Sequence, residues 1–278
     1  MVSPVHFRIF RRGSTTYFYS TLFFPRRVRE DVFVLYSFVR TADNFVDAVP
    51  QEAAAFYAFR DGYRRALEGE ATGDPVIDPF AALVGSREID PAWVEAFLAS
   101  MESDLWKGRY ETIEELEGYL YGSSEVVGMM MARVMDLPDA ALPAARALGK
   151  AMQYINFIRD IPEDLSLGRT YLPAAEMAAF GLGSLEERET AAAPRAFEAF
   201  IAAQIDRYLA WQEEGEAGFE YIPRRSLIPV KTASDLYRWT ALQILADPTV
   251  VYRRKVKPSP PRAVLRAVAN AVAPGDLR

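Results

Sequence analysis

The chain has 278 residues, with no cysteine and a single histidine, His6. Disulfide bonds, thiolate nucleophiles and cysteine-ligated zinc sites are therefore excluded. Serine–histidine triads and multi-histidine metal sites are excluded in the same way, because His6 stands alone near the N-terminus. Catalysis by this chain would have to use carboxylates, arginines, tyrosines and any metal ion that the carboxylates bind.

Long apolar runs and an excess of positive charge are also missing. No stretch of about 20 apolar residues is present, so no transmembrane helix is expected. The formal net charge of -6 argues against general nucleic-acid binding, which depends on lysine and arginine contacts with phosphate. Residues 1–12 are too polar and basic to resemble a signal peptide, and a cytoplasmic location is expected.

Apolar residues recur at helical spacing between regularly placed prolines, and few stretches alternate as strands would. The pattern predicts an all-α protein, with long helices over 28–48, 91–107, 113–135, 141–164, 196–220 and 226–246. Asp90 and Pro91 fit the N-cap and first positions of the second of these helices. The turn-rich segment 68–86 is predicted to be a surface connection.

Nothing in the sequence divides this set of helices. Half of the residues are apolar, and no Gly/Ser-rich linker or internal repeat interrupts them. A single domain over 1–278 is predicted, in which 253–278 form a basic C-terminal tail. A monomer or a homodimer is expected.

The first predicted helix carries two aspartates and an arginine on one face. At about 100° per residue, Arg40, Asp43 and Asp47 fall within an arc of roughly 60°. The surrounding positions are mostly apolar, which indicates that the carboxylates lie close to the core.

A second polar stripe occurs in the predicted helix over 141–164. Gln153, Asn156, Asp160 and Asp164 share an arc of roughly 80°. Pro162 lies within this stripe. The helix either bends there or ends there, which would leave Asp164 on a loop.

Buried carboxylates need a positive partner. Two of them at i and i+4 repel each other by roughly a few tenths of a kcal/mol on an exposed helix, and by far more in an apolar bundle. Mg²⁺ is a suitable partner, because it binds one or two carboxylates and completes its octahedron with water and substrate phosphate. Two facing stripes favour a metal–diphosphate site, while two solvated helix faces are the alternative.

Both stripes resemble the signature motifs of the squalene and phytoene synthase family. The first matches the family's DxxxD motif, and residues 153–173 (QYINFIRDIPEDLSLGRTYLP) resemble its second motif closely. Residues 14–17 resemble the family's flap segment, and 119–128 resemble the tyrosine–glycine stretch that lines its substrate cavity. The resemblance extends over roughly 14–256.

The resemblance implies the fold of a single-domain class I isoprenoid synthase, a helical bundle with a central cavity. It also implies head-to-head condensation of two prenyl diphosphates through a cyclopropylcarbinyl diphosphate. Phytoene from two geranylgeranyl diphosphates is the first choice, and squalene or dehydrosqualene from two farnesyl diphosphates is the alternative. NADPH would be needed only for squalene. A non-catalytic relative that acts as an assembly or binding protein is an alternative of another class.

The resemblance also assigns roles to individual residues. The catalytic, metal-binding carboxylates would be Asp43, Asp47, Asp160 and Asp164, holding Mg²⁺ or Mn²⁺. Two catalytic tyrosines would be Tyr121 and Tyr171. The prenyl diphosphates would be bound by Ser14, Thr16, Tyr17, Arg40, Gln153, Asn156, Arg159 and Arg169.

Two further features call for an explanation. Glu125 stands where relatives typically have glycine, and is either another carboxylate near the metal ions or the partner of an arginine such as Arg133. The second reading is favoured. The basic segment 252–266 and the short apolar stretch after it could contact anionic lipid headgroups, with a solvated tail as the alternative.

Overall fold

The computed structural model describes residues 3–272, apart from the side chains of Thr15 and Thr16. Over this range the chain forms helices and no strand, which confirms the predicted all-α class. The helices are α1 (Pro4–Gly13), α2 (Thr15–Thr21), α3 (Arg26–Asp47), α4 (Ala53–Leu67), α5 (Ile77–Ser86), α6 (Pro91–Ser103), α7 (Ile113–Leu120), α8 (Val126–Val134), α9 (Leu142–Arg159), α10 (Ile161–Ser166), α11 (Ala174–Ala179), α12 (Glu187–Ala192), α13 (Pro194–Glu216), α14 (Arg224–Ala246), α15 (Val250–Arg253) and α16 (Pro260–Val272).

Two helices lie at the centre of the bundle, and they are the ones that carry the polar stripes. Helix α3 packs against α1, α4, α5 and α6, while α9 packs against α8, α13 and α14. Each therefore has neighbours on several sides, so polar side chains on their packed faces must face an internal cavity or another polar group.

Aspartate side chains cap the starts of two helices. As predicted, α6 begins at Pro91, and the Asp90 carboxylate accepts a hydrogen bond of 2.8 Å from the Ala92 amide. The surface connection predicted over 68–86 is wrong in its second half, which forms α5. There the Asp74 carboxylate accepts hydrogen bonds from two amides at the helix start, and Phe80 is fully buried.

The helix predicted over 113–135 is interrupted once. Between α7 and α8 the chain makes a π-helical turn, Tyr121–Glu125. Gly122 lies in this turn, and a Cβ there would be 2.3 Å from the Ala96 carbonyl oxygen of α6. The wider turn therefore occurs where the backbone passes closest to its neighbour.

Helices α8 and α9 also approach closely through glycine. A Cβ added to Gly128 would lie 2.1 Å from the Ala145 carbonyl oxygen, and one added to Gly149 would lie 2.4 Å from the Ser124 carbonyl oxygen. These contacts leave no room for a side chain, so the two helix axes are held close together.

Within residues 3–272, no helix is both long and apolar enough to cross a lipid bilayer.

Substitution of Gly128 by alanine should destabilise the fold. The added methyl group would collide with α9, and such overpacking costs about 1–3 kcal/mol of unfolding free energy. Urea unfolding followed by circular dichroism measures the change. Gly118→Ala is the matched control, because that exposed position of α7 has no atom within 4 Å of its Cβ and should gain up to about 1 kcal/mol in helix propensity. Equal stabilities of the two variants would contradict the close contact.

Candidate active site

The stripe on α3 points into an internal cavity. Arg40, Asp43 and Asp47 all line it, together with residues from α2, α6, α9 and α10. Arg40 forms an ion pair with Asp43, and Arg169 reaches Asp47 from the loop after α10, with an Nη1–Oδ1 distance of 2.6 Å. Each of the two aspartates on α3 therefore has its own arginine.

The second stripe reaches the same cavity across a break in the helix. Helix α9 ends at Arg159, Asp160 has non-helical backbone angles, and α10 starts at Ile161 with Pro162 in its first turn. Pro162 thus ends one helix and starts the next, where its missing N–H is no loss. Asp164 lies on a short helix and lines the cavity with Asp160.

The cavity between the stripes has a volume of about 250 Å³. Its carboxylates influence one another across it. Burial, followed by the charge of Asp160 and then that of Asp47 on the opposite helix, raises the pKa of Asp164 to about 8. Burial and the charge of Asp47 raise the pKa of Asp43 to about 7, although Arg40 opposes this rise. Burial and the neighbouring carboxylates therefore disfavour the charged forms of Asp43 and Asp164 unless a cation lies between them.

The pKa of Asp160, in contrast, is lowered. Burial disfavours its charged form, but the Arg159 guanidinium and the Lys255 ammonium outweigh burial and lower its pKa. Lys255 lies 3.0 Å from Asp160 and 3.0 Å from Glu163. The basic segment after α15 therefore returns to the cavity, where Lys257 also lines the wall.

Three buried atoms along the cavity have no hydrogen-bond partner. They are the Asn156 Oδ1, Ser123 Oγ and Arg169 Nε atoms. Unpaired buried polar atoms are uncommon in folded proteins and indicate a site for a ligand or ordered solvent. An amide oxygen, a hydroxyl and a guanidinium suit a hydrated cation and a phosphate group.

The donor set fits magnesium bound together with a phosphate. Between residues 3 and 272, no three histidine or acidic side chains come close enough to hold a metal ion by themselves. Mg²⁺ needs only one or two carboxylates when substrate phosphate and water complete its coordination. The pairs Asp43–Asp47 and Asp160–Asp164 provide such carboxylates on opposite walls.

A second, apolar cavity of about 260 Å³ adjoins the first. The two share lining residues from three helices and the π-helical turn: Tyr17, Tyr36, Val39, Ser123, Gln153 and Asn156. Beyond them the wall is almost entirely apolar or small, including Phe24, Leu35 and Met131. A molecule with an anionic head and a long apolar tail fits this pair of cavities.

Comparison with known proteins agrees with this geometry. The model of the squalene/phytoene synthase family matches residues 10–262. The chain belongs to this family. A 15-cis-phytoene synthase from Synechocystis sp. is 31% identical over 266 residues, which cover 90% of this chain and 78% of that relative.

Solved structures in the family have the same architecture. A squalene synthase from Alicyclobacillus acidocaldarius is 28% identical and superimposes with a TM-score of 0.75, over 92% of this chain and 94% of that one. A dehydrosqualene synthase in complex with a ligand is 22% identical, with a TM-score of 0.80 over 95% and 93% of the two chains, and shares the fold. The predicted isoprenoid synthase fold and prenyltransferase class are confirmed.

The remaining family positions named from the sequence lie as follows. Ser14 caps α2 and lines the polar cavity, and Gln153 lines both cavities. Tyr17 also lines both, and its hydroxyl donates to the Met152 sulfur at 3.4 Å. The Thr16 side chain lies outside the described residues.

One of the two tyrosines predicted to be catalytic, Tyr121, lies away from both cavities. Tyr121 is 38% exposed, its ring stacks under the Arg146 guanidinium, and it lines neither cavity. Tyr119, two residues earlier, is buried and lines the polar cavity. The two residues are about 200° apart on a helix, so the packing of α7 directs one inward and the other outward.

Tyr119 and Tyr171 converge on a carboxylate that sequence reasoning missed. Asp104, at the end of α6, accepts hydrogen bonds of 2.7 Å from Tyr119 and 3.0 Å from Tyr171. Burial raises the pKa of Asp104 to about 6, while the charge of Arg169 opposes the rise. Arg169 also donates to the Asp104 carbonyl oxygen, so this cluster holds the guanidinium that reaches Asp47.

Glu125 is the partner of basic residues, as favoured from the sequence, but not of Arg133. It lies 2.7 Å from Arg146 and 3.2 Å from Lys150, both on α9, whereas Arg133 pairs with Asp139. Glu125 does not line the polar cavity. Because it is nearly fully buried, the two cations compensate its charge within the α8–α9 contact.

Tyr119→Phe should lower kcat at least tenfold, because Asp104 would lose its shortest side-chain hydrogen bond and a buried carboxylate would be left less satisfied. Tyr121→Phe is the matched control and should stay within twofold of the parent. Steady-state kinetics with prenyl diphosphates measures both. A large loss for Tyr121→Phe with none for Tyr119→Phe would contradict the assignment.

Proposed function

We propose that this protein joins two geranylgeranyl diphosphates head to head to form phytoene. The observation that carries the proposal is that the carboxylate–arginine cavity adjoins the apolar cavity and shares six lining residues with it. A diphosphate would occupy the charged end and an isoprenoid chain the apolar end. The 31% identity to a 15-cis-phytoene synthase from Synechocystis sp. favours this product.

Magnesium would be held by Asp43 and Asp47 on one wall and by Asp160 and Asp164 on the other. When bound, it would supply positive charge to the diphosphate oxygens and so favour departure of the leaving group. Asn156 Oδ1, which has no hydrogen-bond partner among the described residues, would accept a hydrogen bond from water in this site.

The arginines would stabilise the departing anion. Ionisation of an allylic diphosphate separates a carbocation from diphosphate, and charge that develops on the leaving group is best stabilised by preorganised donors. Arg159 and Arg169 are buried, and the unpaired Arg169 Nε leaves one donor free for a phosphate oxygen.

The apolar cavity would protect the cation. After ionisation, the double bond of the second substrate attacks the allylic cation and one proton leaves, which gives a cyclopropylcarbinyl diphosphate. Loss of its diphosphate, rearrangement and loss of a second proton give phytoene. Tyr36 and Phe157 offer aromatic faces to these cations while the cavity wall excludes water.

The tyrosines are poor candidates for the base. Burial raises the pKa of Tyr171 and of Tyr119 well above the ordinary phenol value, so both stay protonated at neutral pH. They act as hydrogen-bond donors that fix Asp104. The departing diphosphate, next to the cation, is the better proton acceptor.

Two farnesyl diphosphates leading to squalene or dehydrosqualene are the second candidate. A squalene synthase that shares 28% identity and a TM-score of 0.75 supports this reading. Squalene differs in its last step, because hydride from NADPH takes the place of the second proton loss.

Incubation with Mg²⁺ and geranylgeranyl diphosphate, without NADPH, should give a C40 hydrocarbon identifiable by mass spectrometry. Asp43→Ala or Asp160→Ala should abolish turnover with little change in helical circular dichroism, because the diphosphate site loses a carboxylate. Asp61→Ala, on the exposed face of α4, is the control and should keep full activity. Product only from farnesyl diphosphate would favour the second candidate, and undiminished turnover by Asp43→Ala would count against both.

We also propose that α16 contacts the surface of a membrane. Its packing face consists of small residues, with Ala263 and Ala267 buried, while its larger side chains face outward. The exposed fractions of Val264, Leu265, Val268 and Val272 are 40%, 70%, 48% and 75%, and these four share an arc of roughly 100°.

Charge and position support a lipid partner. Arg254 and Arg262 lie exposed before or at the start of the helix, where they can meet anionic headgroups. Helix α16 packs against α2 and α14, and α2 contributes Tyr17 to the wall of the apolar cavity. An outward apolar stripe next to that cavity suits release of a hydrocarbon into a bilayer.

Wild-type protein should float with vesicles of phosphatidylcholine and phosphatidylglycerol. The double variant Leu265→Glu/Val268→Glu should remain in the dense fraction, because the charges oppose insertion. Leu67→Glu, at the exposed end of α4, should float like the parent. Equal flotation of the double variant would exclude α16 as the contact.

A further inference from the structure

A third cavity of about 330 Å³ lies between α1 and α3, beside the carboxylate site. Its polar lining comes from three arginines and one amide: Arg8, Arg12, Arg40 and Asn44. We call it the arginine pocket. Arg8 and Arg12 are one turn apart on α1, so both guanidiniums lie over the same face of that helix.

The positive charge in this pocket is largely uncompensated. Neither Arg8 nor Arg12 has an ion-pair partner within the part of the chain that the structure describes, and Arg40 is paired with Asp43. Three guanidiniums around one cavity repel each other unless an anion joins them. The chain as a whole has a net charge of -6, so the positive charge of this pocket is a local feature.

The arginine pocket is connected to the carboxylate site. Arg40 and Gly13 line both cavities. Gly13 leaves the junction free of a side chain, and a Cβ there would be 2.3 Å from the Tyr36 hydroxyl. Arg40 can therefore contact an anion on either side of this junction.

We infer that the arginine pocket binds inorganic pyrophosphate as it leaves the carboxylate site. The identity of the anion rests on the proposed function, since each condensation releases two diphosphates. Guanidinium forks match phosphate oxygens in pairs, and none of the three can lose its charge at neutral pH. The pocket would draw the released anion away from the carboxylates and clear them for the next substrate.

Calorimetric titration of the full chain with inorganic pyrophosphate in EDTA tests this inference without turnover. Without metal, the carboxylate cavity lacks the cations that would bridge pyrophosphate to its aspartates, so binding reports on the arginine pocket. The wild type should bind one pyrophosphate, and Arg8→Ala/Arg12→Ala should bind it at least tenfold more weakly. Arg11→Ala removes an arginine of α1 that does not line the pocket, and its affinity should match that of the wild type.

Two further arms distinguish the possible sites and sources of the anion. Asp164→Asn should bind pyrophosphate as the wild type does, and tighter binding would place the anion among the carboxylates instead. With Mg²⁺ present in place of EDTA, geranyl diphosphate should bind the wild type and the double variant equally, and a tenfold loss in the double variant would assign the pocket to the substrate's head group. No metal-free binding by the wild type would overturn the inference, whatever the protein's catalytic activity.

Discussion

Buried negative charge, where α3 meets the junction of α9 and α10, is the constraint on which the rest of this structure depends. Four aspartates, two from α3 and two from the α9–α10 junction and α10, face one cavity inside an apolar bundle. Such charges are stable only when cations or strong donors surround them. Arg40 and Arg169 pair with the two aspartates of α3, and Arg159 and Lys255 pair with Asp160. Among the residues that the structure describes, Asp164 has no such partner, and a bound metal ion would stabilise its charged form.

The walls of the apolar cavity depend instead on helices that pack closely at glycine positions. Gly128 and Gly149 bring α8 and α9 together, and Gly215 of α13 lies against the backbone of Leu148. All three also line the cavity. Because these positions have no side chains, the bundle can be tightly packed around an open channel, so stability and room for a long isoprenoid come from the same residues.

The sequence-based predictions fail where the position of a side chain depends on contacts between residues far apart in the chain. The sequence does not show which of Tyr119 and Tyr121 faces the cavity. Only the packing of α7 against α6 and α9 directs Tyr119 to Asp104. Asp104 carries no motif that could reveal it, since its role comes from the tyrosines that reach it from residues 15 and 67 positions away. Lys255 and Lys257 likewise look like part of a basic tail until the chain returns to the cavity.

The sequence by itself determined the helical class and the two acidic stripes. Those features depend on helical periodicity, which is local and can be read from spacing. Only the tertiary structure decided that the stripes share one cavity, that Pro162 separates two helices, that Glu125 pairs with Arg146 and Lys150, and that three arginines surround a neighbouring pocket. These outcomes depend on which helix faces meet, and that follows from the packing of the whole bundle rather than from any single segment.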